Sequence, residues 1–328
     1  MPDVSIVIPN YNGISYLEGC LKSIQEQKNI HPEVMVVDNG STDGSREFTE
    51  KQFPKEQFPG VKVLPLGENY GFPRAVNEGI RAASRPYVIL LNNDTEVQPG
   101  FADALADCLE QHPEAFSAQA KLIQLHEPSK LDDAGNLYCA LGWAFARGKD
   151  RSSELYEEPD EVFAACAGAA IYRKEVLDKI GYFDEAHFAY LEDIDLGWRA
   201  RRAGWTNRYE PKAKVYHAGS GTSGSRYNEF KVEHSSKNNI YLIYKNMPTW
   251  QIALNLPLLI VGFGAKAAFF IKKGLGVTYL KGLVEGVRMC DKEYKVHTEK
   301  ADWRQCLRIQ WELWVNVIRR FSDMGEEE

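Results

Sequence analysis

The sequence predicts an α/β protein built around an open, mostly parallel sheet. Within the first hundred residues, short apolar runs alternate with segments whose apolar residues recur at helical spacing. Most positions in the runs are apolar, as expected of parallel strands covered on both faces. The runs are Val4–Ile8, Val34–Val37, Val61–Leu66 and Tyr87–Leu91.

The segments between these runs predict helices. Leu17, Leu21 and Ile24 recur at helical spacing after the first run, and a short polar helix follows the second. Arg74–Ala83 predicts a helix after the third run, and Phe101–Gln111 predicts one after the fourth. The alternation of strand and helix therefore continues through this whole part of the chain.

The pattern is less regular up to about residue 160. Arg147–Pro159 is polar and acidic and predicts a loop. A basic helix is expected to end at Gly204, and Lys212–His217 alternates like a strand. We expect a main domain over residues 1–235 and a helical C-terminal region over residues 236–328.

Charge and cysteine usage limit the class of protein. The formal net charge of −7 argues against nucleic acid as a partner. Ala265–Arg320, however, has 12 Lys and Arg against 6 Asp and Glu, a net of +6, which is typical of a surface that meets anionic lipid. The six cysteines are scattered, and a strand pattern begins almost at the first residue. We therefore expect no targeting segment and a cytoplasmic protein.

One C-terminal stretch, Gln251–Ile271, has the length of a membrane span. Asn255, Pro257 and Lys266 interrupt it, so we expect a helix that lies on a membrane or packs on the main domain rather than a span. For the C-terminal region as a whole two interpretations stay open. It docks at the inner face of a membrane, or it is a packed appendage or an interface between copies of the chain.

Polar residues follow each predicted strand. Because the carboxyl ends of parallel strands meet at one sheet edge, where ligands bind in open α/β sheets, these residues together outline a site. No G-x-G-x-x-G follows the first run and no G-x-x-x-x-G-K-[ST] occurs, which excludes the dinucleotide and P-loop interpretations. The polar clusters are Pro9-Asn10-Tyr11, Asp38, Glu68-Asn69 and Asn92-Asn93-Asp94.

Each of these residues has two interpretations when taken alone. Asp94 holds a divalent ion against a diphosphate, or it is a turn residue. Asp38 accepts hydrogen bonds from a nucleobase or ribose, or it opens an Asx turn. Arg74 pairs with a diphosphate or is a solvated surface residue. His217 is a ligand or a structural histidine.

The segment around Glu192 places three carboxylates within four residues, and like charges so close repel one another unless something offsets them. A helix N-terminus offsets them in part. Alternatively, one carboxylate faces a cleft as a general base. Both hold together if Asp195 serves the helix and Asp193 faces a substrate.

The order of these motifs resembles the family 2 glycosyltransferases. The resemblance covers about residues 3–245 and implies the GT-A fold, a Rossmann-like fold of nucleotide-diphospho-sugar transferases. Within that family, the chain resembles the branch of bacterial rhamnosyltransferase-like enzymes of cell-surface polysaccharide assembly. The segments that resemble the family are SIVIPNYNG, MVVDNGSTDGS, ENYGFPRAVNEGI, YVILLNNDTEV and GYFDEAHFAYLEDIDLGWRARRAGW, followed by a histidine.

The resemblance also implies roles for the site residues. Asp193 matches the family's catalytic base, with Glu192 in support. Asp94 matches the last residue of an Asp-x-Asp metal motif, whose first position here is Asn92, and His217 matches a histidine on the metal. The expected donor-binding residues are Pro9, Asn10, Tyr11, Asp38, Asn69, Arg74, Asn92, Asn93 and Gly168.

We therefore expect an inverting glycosyltransferase that uses Mg²⁺ or Mn²⁺. It would move a sugar, rhamnose by the branch resemblance, from a dTDP-, UDP- or GDP-linked donor to a glycan or lipid-linked acceptor. The glycine- and serine-rich Ala218–Arg226 is expected to be a lid that excludes water. Two alternatives stay open: an inactive nucleotide-sugar-binding module, and a sugar nucleotidyltransferase. The second would be expected to have a basic loop where PNYNGISYLEGC has no Lys or Arg.

Overall fold

The structure is a computed structural model that describes residues 3–27, 31–54, 61–219, 227–296 and 302–325. Its strands are β1 Val4–Asn10, β2 Glu33–Asp38, β3 Val61–Pro65, β4 Tyr87–Leu91, β5 Thr95–Val97, β6 Ala115–Gln124, β7 Leu131–Asp133, β8 Asn136–Cys139, β9 Trp143–Ala146, β10 Asp160–Val162, β11 Ala169–Arg173 and β12 Thr206–His217. Its α-helices are α1 Ile14–Gln25, α2 Ser45–Gln52, α3 Phe72–Ala82, α4 Phe101–Gln111, α5 Lys174–Ile180, α6 Glu192–Arg202, α7 Glu229–Asn246, α8 Thr249–Lys272, α9 Gly276–Arg288 and α10 Trp303–Gly325.

One large mixed sheet has the strand order β10-β12-β6-β11-β4-β1-β2-β3. β4, β1, β2 and β3 run parallel, and β11 lies antiparallel between β4 and β6. Side chains alternate between two cores: Ile6 and Ile8 face one together with α1 and α4, and Val7 faces the other together with α3 and α6. The predicted α/β class, with helices on both faces of the sheet, is therefore confirmed.

The central strand β6 was not expected from the sequence. Its segment AFSAQAKLIQ mixes small and polar residues, yet nearly all of it is buried. Ser117 donates to Asn207, Gln119 donates to Asp133 at 2.9 Å, and Lys121 is bound to Glu157. Because these partners come from distant segments, the burial of the polar side chains leaves no local pattern.

The helix α7 crosses the boundary that the sequence suggested after residue 235, so the division into two domains stays a prediction. α7 is tied to α6 by the fully buried Asp195. Lys245 Nζ donates to Asp195 Oδ2 at 2.9 Å, Asn246 Nδ2 donates to Oδ1 at 2.8 Å, and Arg199 Nε donates to Oδ2 at 2.9 Å. These bonds fix the helix that begins at Glu192 against the following helix.

The hairpin β8–β9 supports α8 and α10. Trp143 Nε1 donates to the carbonyl of Gly262 in α8 at 3.0 Å, and Asn316 Nδ2 of α10 donates to the carbonyl of Tyr138 at 2.9 Å. Among the described residues, α8 is the one helix long and apolar enough to cross a membrane by length and composition. Core helices of soluble proteins also meet that test, so it does not decide between a span and the expected surface helix.

Replacement of Asp195 by Asn should destabilise the protein by about 3 kcal/mol at pH 7, because Lys245 and Arg199 lose a buried counter-ion. Urea denaturation would measure it. Burial opposes ionisation, but Lys245 and Arg199 outweigh it and hold the pKa of Asp195 far below the ordinary value of about 3.9. The stabilisation of the fold by ionised Asp195 is therefore complete at pH values above the ordinary pKa, and it decreases as the pH falls below that value.

The matched control is Glu78→Gln, which breaks the exposed pair of Glu78 with Arg81. We expect it to cost less than about 1 kcal/mol. A destabilisation by Asp195→Asn no larger than that of the control would show that the buried network does not stabilise the fold.

Candidate active site

A cleft of about 860 Å³ opens at the carboxyl ends of β1 and β4 and extends to the start of α6. This is large enough for a nucleotide-sized ligand. It is lined by predicted residues from both halves of the main sheet, which the sequence separates by up to about two hundred positions. These are Pro9, Asn10, Tyr11, Asn69, Asn92, Asn93, Asp94, Gly168, Glu192, Asp193 and His217.

Asn10 joins three strand ends at the edge of the sheet. Its Nδ2 donates to Ser45 Oγ at 2.9 Å, and its Oδ1 accepts from Asn93 Nδ2 at 2.8 Å. The same amide lies 3.4 Å from Asp38 Oδ1. Asn10 therefore fixes the relative positions of the loops after β1, β2 and β4.

Asp38 and Arg74 do not line the cleft. Asp38 is buried at the end of β2, and its neighbour Asn39 reaches the wall instead. Asn39 Nδ2 donates to Asn69 Oδ1 at 3.0 Å. Arg74 is exposed and stacks over the ring of Tyr70 at 4.3 Å. The sequence thus predicted the correct edge of the sheet for both residues, but it did not predict that their side chains lie outside the cleft.

Asp94 and His217 meet at one end of the cleft, as the resemblance implies. His217 Nε2 lies 3.2 Å from Asp94 Oδ1, and His217 Nδ1 lies 2.8 Å from Asp132 Oδ2. Burial lowers the pKa of His217, but the hydrogen bonds with Asp132 and Asp94 outweigh it and raise the pKa to about 10. Asp132, which is also bound to Lys149, is the partner that sequence reasoning missed.

This donor set fits a divalent metal. A metal-bound histidine usually donates its other ring N–H to a carboxylate, and Asp132 occupies that position. With Nδ1 held there, Nε2 points at the same space as the Asp94 carboxylate. In the described part of the chain, no three His, Cys, Asp or Glu side chains form a ready metal-binding group. A metal held by Asp94 and His217 would need further ligands, which a bound diphosphate or solvent could supply.

Glu192 and Asp193 begin α6 on the cleft wall. Burial raises the pKa of both carboxyls, and the Asp193 charge raises that of Glu192 further. Asp193 Oδ2 accepts from Asn136 Nδ2 at 2.8 Å and Oδ1 accepts from Ile194 N at 2.7 Å. Glu192 Oε2 is buried without a hydrogen-bond partner among the described residues. The proton therefore belongs on Glu192, and Asp193 is the ionised member.

The segment before Glu192 is strained. Phe188, Tyr190 and Leu191 have φ of 60°, 72° and 69°, which L-residues rarely adopt. Such residues cost about 1–3 kcal/mol each and persist only when neighbours hold them. Asn238 of α7 does so, because its buried Nδ2 lies within 2.9 Å of the carbonyls of His187, Ala189 and Tyr190. Asn238, a residue outside the predicted main domain, thus shapes the site.

Gly168 lies against the strand end of β4. Its carbonyl accepts from the N–H of Asn92 at 2.9 Å. A Cβ at Gly168 would lie 3.1 Å from the Asn92 side-chain nitrogen, so a larger residue would push Asn92 away. The expected small residue beside the donor site thus has a steric reason to be small.

Part of the cleft lining is apolar, a feature that the sequence did not predict. It includes Phe145 of β9, Phe188 and Phe230 of α7, and the ring centroids of Phe188 and Phe230 lie 6.3 Å apart. These residues are far apart in sequence and only the fold brings them together. Of the predicted lid Ala218–Arg226, residues 220–226 lie outside the described residues.

Residues 5–181 match the family described as Glycosyl transferase family 2. The chain is also 30% identical over 282 residues to N-acetylglucosaminyl-diphospho-decaprenol L-rhamnosyltransferase of Mycobacterium tuberculosis, which covers 79% of this chain and 90% of that protein. The chain belongs to glycosyltransferase family 2. It is an enzyme of the glycosyltransferase class, similar to the rhamnosyltransferase-like branch, and both predictions are confirmed.

Solved structures confirm the GT-A fold. S. aureus TarS 1-349 in complex with UDP-GlcNAc superposes with a TM-score of 0.59 at 18% identity, over 89% of this chain and 82% of that one. The mannosyltransferase PcManGT from Pyrobaculum calidifontis, in complex with GDP-Man and Mn²⁺, gives a TM-score of 0.56 at 15% identity, over 100% and 90%.

Asp132→Asn should weaken Mn²⁺ binding by about tenfold to a hundredfold, because the histidine loses the carboxylate that fixes its orientation. Electron paramagnetic resonance titration of Mn²⁺ in the presence of UDP, dTDP or GDP measures it without any turnover. His217→Ala should weaken binding at least as much. Asp178→Asn, outside the cleft, is the control and should bind as the wild type does.

Wild-type Mn²⁺ affinity in Asp132→Asn together with loss in His217→Ala would exclude a positioning role for Asp132. Wild-type affinity in both variants would show that the metal lies elsewhere.

Proposed function

We propose that this enzyme transfers a sugar from a nucleoside-diphosphate donor to an acceptor hydroxyl, with inversion, and that Asp193 is the general base. The observation that supports this most directly is the environment of Asp193. Its carboxylate faces the cleft, is held by two N–H donors and has a raised pKa. A base of this kind accepts a proton near neutral pH more readily than an ordinary Asp does.

The donor would lie across the strand ends. We assign its nucleotide to the wall formed by Pro9, Tyr11 and Asn69 and its sugar to the neighbourhood of Gly168. Asp38 and Arg74 do not line that wall, and Asp38 contacts it through Asn10. The polar edge of the sheet offers side-chain amides to a diphosphate, since Asn93 and Asn92 both reach the cleft.

Asp94 and His217 would hold Mg²⁺ or Mn²⁺ beside the diphosphate. A metal there neutralises charge on the leaving group and so supports departure of the nucleoside diphosphate. His217 is oriented for this by Asp132, and Asn92 lies beside it, with its Nδ2 3.5 Å from His217 Nε2. The amide at position 92 provides no second carboxylate, so metal binding should depend on bound nucleotide.

The chemical step needs one proton transfer. Asp193 takes the proton of the acceptor hydroxyl, and the oxygen bonds to the anomeric carbon from the face opposite the diphosphate. The bond between that carbon and the diphosphate oxygen breaks, so the configuration inverts in one displacement. Because Glu192 is protonated, its carboxyl adds no second negative charge beside the attacking oxygen.

We propose rhamnose as the sugar and a lipid-linked sugar diphosphate as the acceptor. The name of the M. tuberculosis relative, which states an L-rhamnosyl transfer to N-acetylglucosaminyl-diphospho-decaprenol, supports both. The apolar cleft wall of Phe145, Phe188 and Phe230 suits an acceptor with an apolar part. Such an acceptor places the enzyme at the cytoplasmic face of a membrane, in bacterial cell-surface polysaccharide synthesis.

Asp193→Asn should lower the rate of transfer by about 10²–10⁴-fold, because the amide cannot accept the proton. Donor binding, followed by thermal shift with Mn²⁺, should stay near the wild-type level. Release of free nucleotide from a panel of dTDP-, UDP- and GDP-sugars measures the transfer. Glu175→Gln, an exposed carboxylate outside the cleft, is the control; near-normal turnover in Asp193→Asn would remove this residue from the mechanism.

Asn136→Leu should shift the acid limb of the pH–rate profile upward. Loss of the Asn136 N–H removes a hydrogen bond that lowers the pKa of Asp193, so burial raises that pKa further. Because the ionised form is the active base, activity is lost as the pH falls through the pKa. Measurement of kcat/KM between pH 5 and 9 tests it. An acid limb that stays in place would mean that another group titrates.

A further inference from the structure

The exposed large apolar side chains of this protein are concentrated in its C-terminal helices. Among the described residues, all but Tyr11, Ile14 and Leu155 lie between Tyr227 and Phe321. Contiguous apolar surface of this kind marks an interaction site in a soluble domain. The question is which partner it fits.

The first part of this surface is α8. Its exposed side is apolar along nearly its whole length, and its charged residues are Lys266 and, at the end, Lys272. At about 1.5 Å per residue a helix of this size extends about 36 Å. The exposed apolar residues are Leu254, Leu256, Ile260, Val261, Phe269 and Ile271.

The other side of α8 is committed to the protein. Asn255 and Gln251 are fully buried, and Gln251 Nε2 donates to the carbonyl of Cys306 at 2.8 Å. A Cβ at Gly262 would lie 1.9 Å from the carbonyl oxygen of Leu141, so the helix packs directly on backbone. Because one face holds polar residues against the domain, α8 is suited to lie in a membrane surface and not to cross the bilayer.

The second part is α10. Its exposed apolar residues recur every three or four positions, which places them on one face. The opposite face holds the buried Ile309, Leu313 and Asn316. Tryptophan is enriched where an apolar membrane interior meets polar headgroups. The exposed residues are Trp303, Leu307, Trp311, Trp314, Ile318 and Phe321.

The three helices pack on one another, and α9 also has exposed apolar residues: Val277, Leu280, Val284 and Val287. Asn255 of α8 is bonded to Gln310 at 2.8 Å and accepts from Trp314 Nε1 at 3.1 Å, which joins α8 to α10. Phe270 and Tyr279, with ring centroids 5.1 Å apart, join α8 to α9. We name the combined exposed apolar residues of α8, α9 and α10 the helical apolar face.

The charges beside this face are mostly basic. Up to Ser322, every fully exposed charged residue of α8, α9 and α10 is basic, whereas Glu285 of α9 is partly exposed and pairs with Arg288. The protein as a whole is acidic, with a net charge of −7, so the arrangement does not follow from composition. Each such residue near an anionic bilayer contributes about 1 kcal/mol to binding. The residues are Lys272, Lys281, Arg288, Arg304, Arg308 and Arg319.

We propose that the helical apolar face is a docking surface for an anionic phospholipid bilayer, in which α8 and α10 lie in the headgroup region. The partner is identified by the charge complementarity of the basic residues and by the tryptophans between apolar face and solvent. The proposal rests on the proposed function only in that a lipid-linked acceptor gives the docking a purpose.

The docking surface is continuous with the cleft. Tyr227 packs on Phe269 of α8, with ring centroids 5.4 Å apart, and Phe230, three residues on, lines the cleft. On the other side, Arg320 of α10 lies 5.5 Å from the ring of Phe145, which also lines the cleft. A docked enzyme therefore presents the apolar wall of its cleft beside the bilayer, where a lipid-linked acceptor enters.

The test is sedimentation of the full chain with vesicles of phosphatidylcholine alone and of phosphatidylcholine with phosphatidylglycerol. The wild type should bind the anionic vesicles more tightly. The triple variant Ile260→Glu, Trp311→Glu, Ile318→Glu should lose at least about tenfold in partitioning. Arg304→Gln with Arg308→Gln should lose about fivefold for each arginine on anionic vesicles and little on neutral ones.

Leu155→Glu, an exposed apolar residue outside the face, is the matched control and should bind as the wild type does. Circular dichroism and UDP-, dTDP- or GDP-dependent Mn²⁺ binding show that each variant is folded. Binding of the variants equal to the wild type overturns the proposal. Failure of the wild type to bind either kind of vesicle also overturns it. That outcome includes a wild type that is a dimer, when the triple variant is a monomer. If alkaline carbonate does not release the bound enzyme from the membrane, surface docking is overturned in favour of a span.

Vesicle binding and catalysis are separate readouts. Docking without any donor turnover would refute the proposed function and leave the surface assignment standing, whereas turnover of a water-soluble acceptor without docking would do the reverse.

Discussion

The site depends on the charge balance around the start of α6, where three carboxylates stand within four residues. Burial opposes ionisation of Asp195, but Lys245, Arg199 and Asn246 surround it and lower its pKa, which favours the ionised form. Because the charge of Asp195 is compensated, α6 can begin inside the protein, and Asp193 then lies at the cleft. Two of these three partners belong to α7. α7 therefore packs as one unit with the helix that carries Glu192 and Asp193, although the sequence suggested a domain boundary within it.

The same helix holds the strained backbone before Glu192. Three left-handed residues in a row of four are unfavourable, and Asn238 binds the carbonyls that this conformation exposes. A strained backbone of this kind gives its side chains directions that they would not have at a regular helix start. Asp195 and Asn238 act together, one fixing the helix and the other the segment leading into it, so the position of Asp193 is defined from both sides.

Sequence reasoning predicted the position of a residue where that position follows from its own strand end. Asp94, Asn93 and Tyr11 follow apolar runs, and the parallel sheet brings such ends together. It failed for Asp132, Asn136 and Asn238, whose contacts lie 85, 57 and about 50 residues away. A short polar side chain that bonds a distant partner leaves no periodic pattern. The strand β6 was missed for the same reason, and the exact side-chain direction of Asp38 depends on packing.

The asymmetry between Glu192 and Asp193 connects the fold to the chemistry. Burial and mutual repulsion disfavour a charge on both adjacent carboxyls, and the hydrogen bonds from Asn136 and Ile194 favour the charge on Asp193. Asn136 begins β8, and β8 belongs to the hairpin on which α8 and α10 rest. The contacts that ionise Asp193 and those that position the helical apolar face therefore share one small hairpin. The hairpin thus contacts both the cleft residue Asp193 and the C-terminal helices.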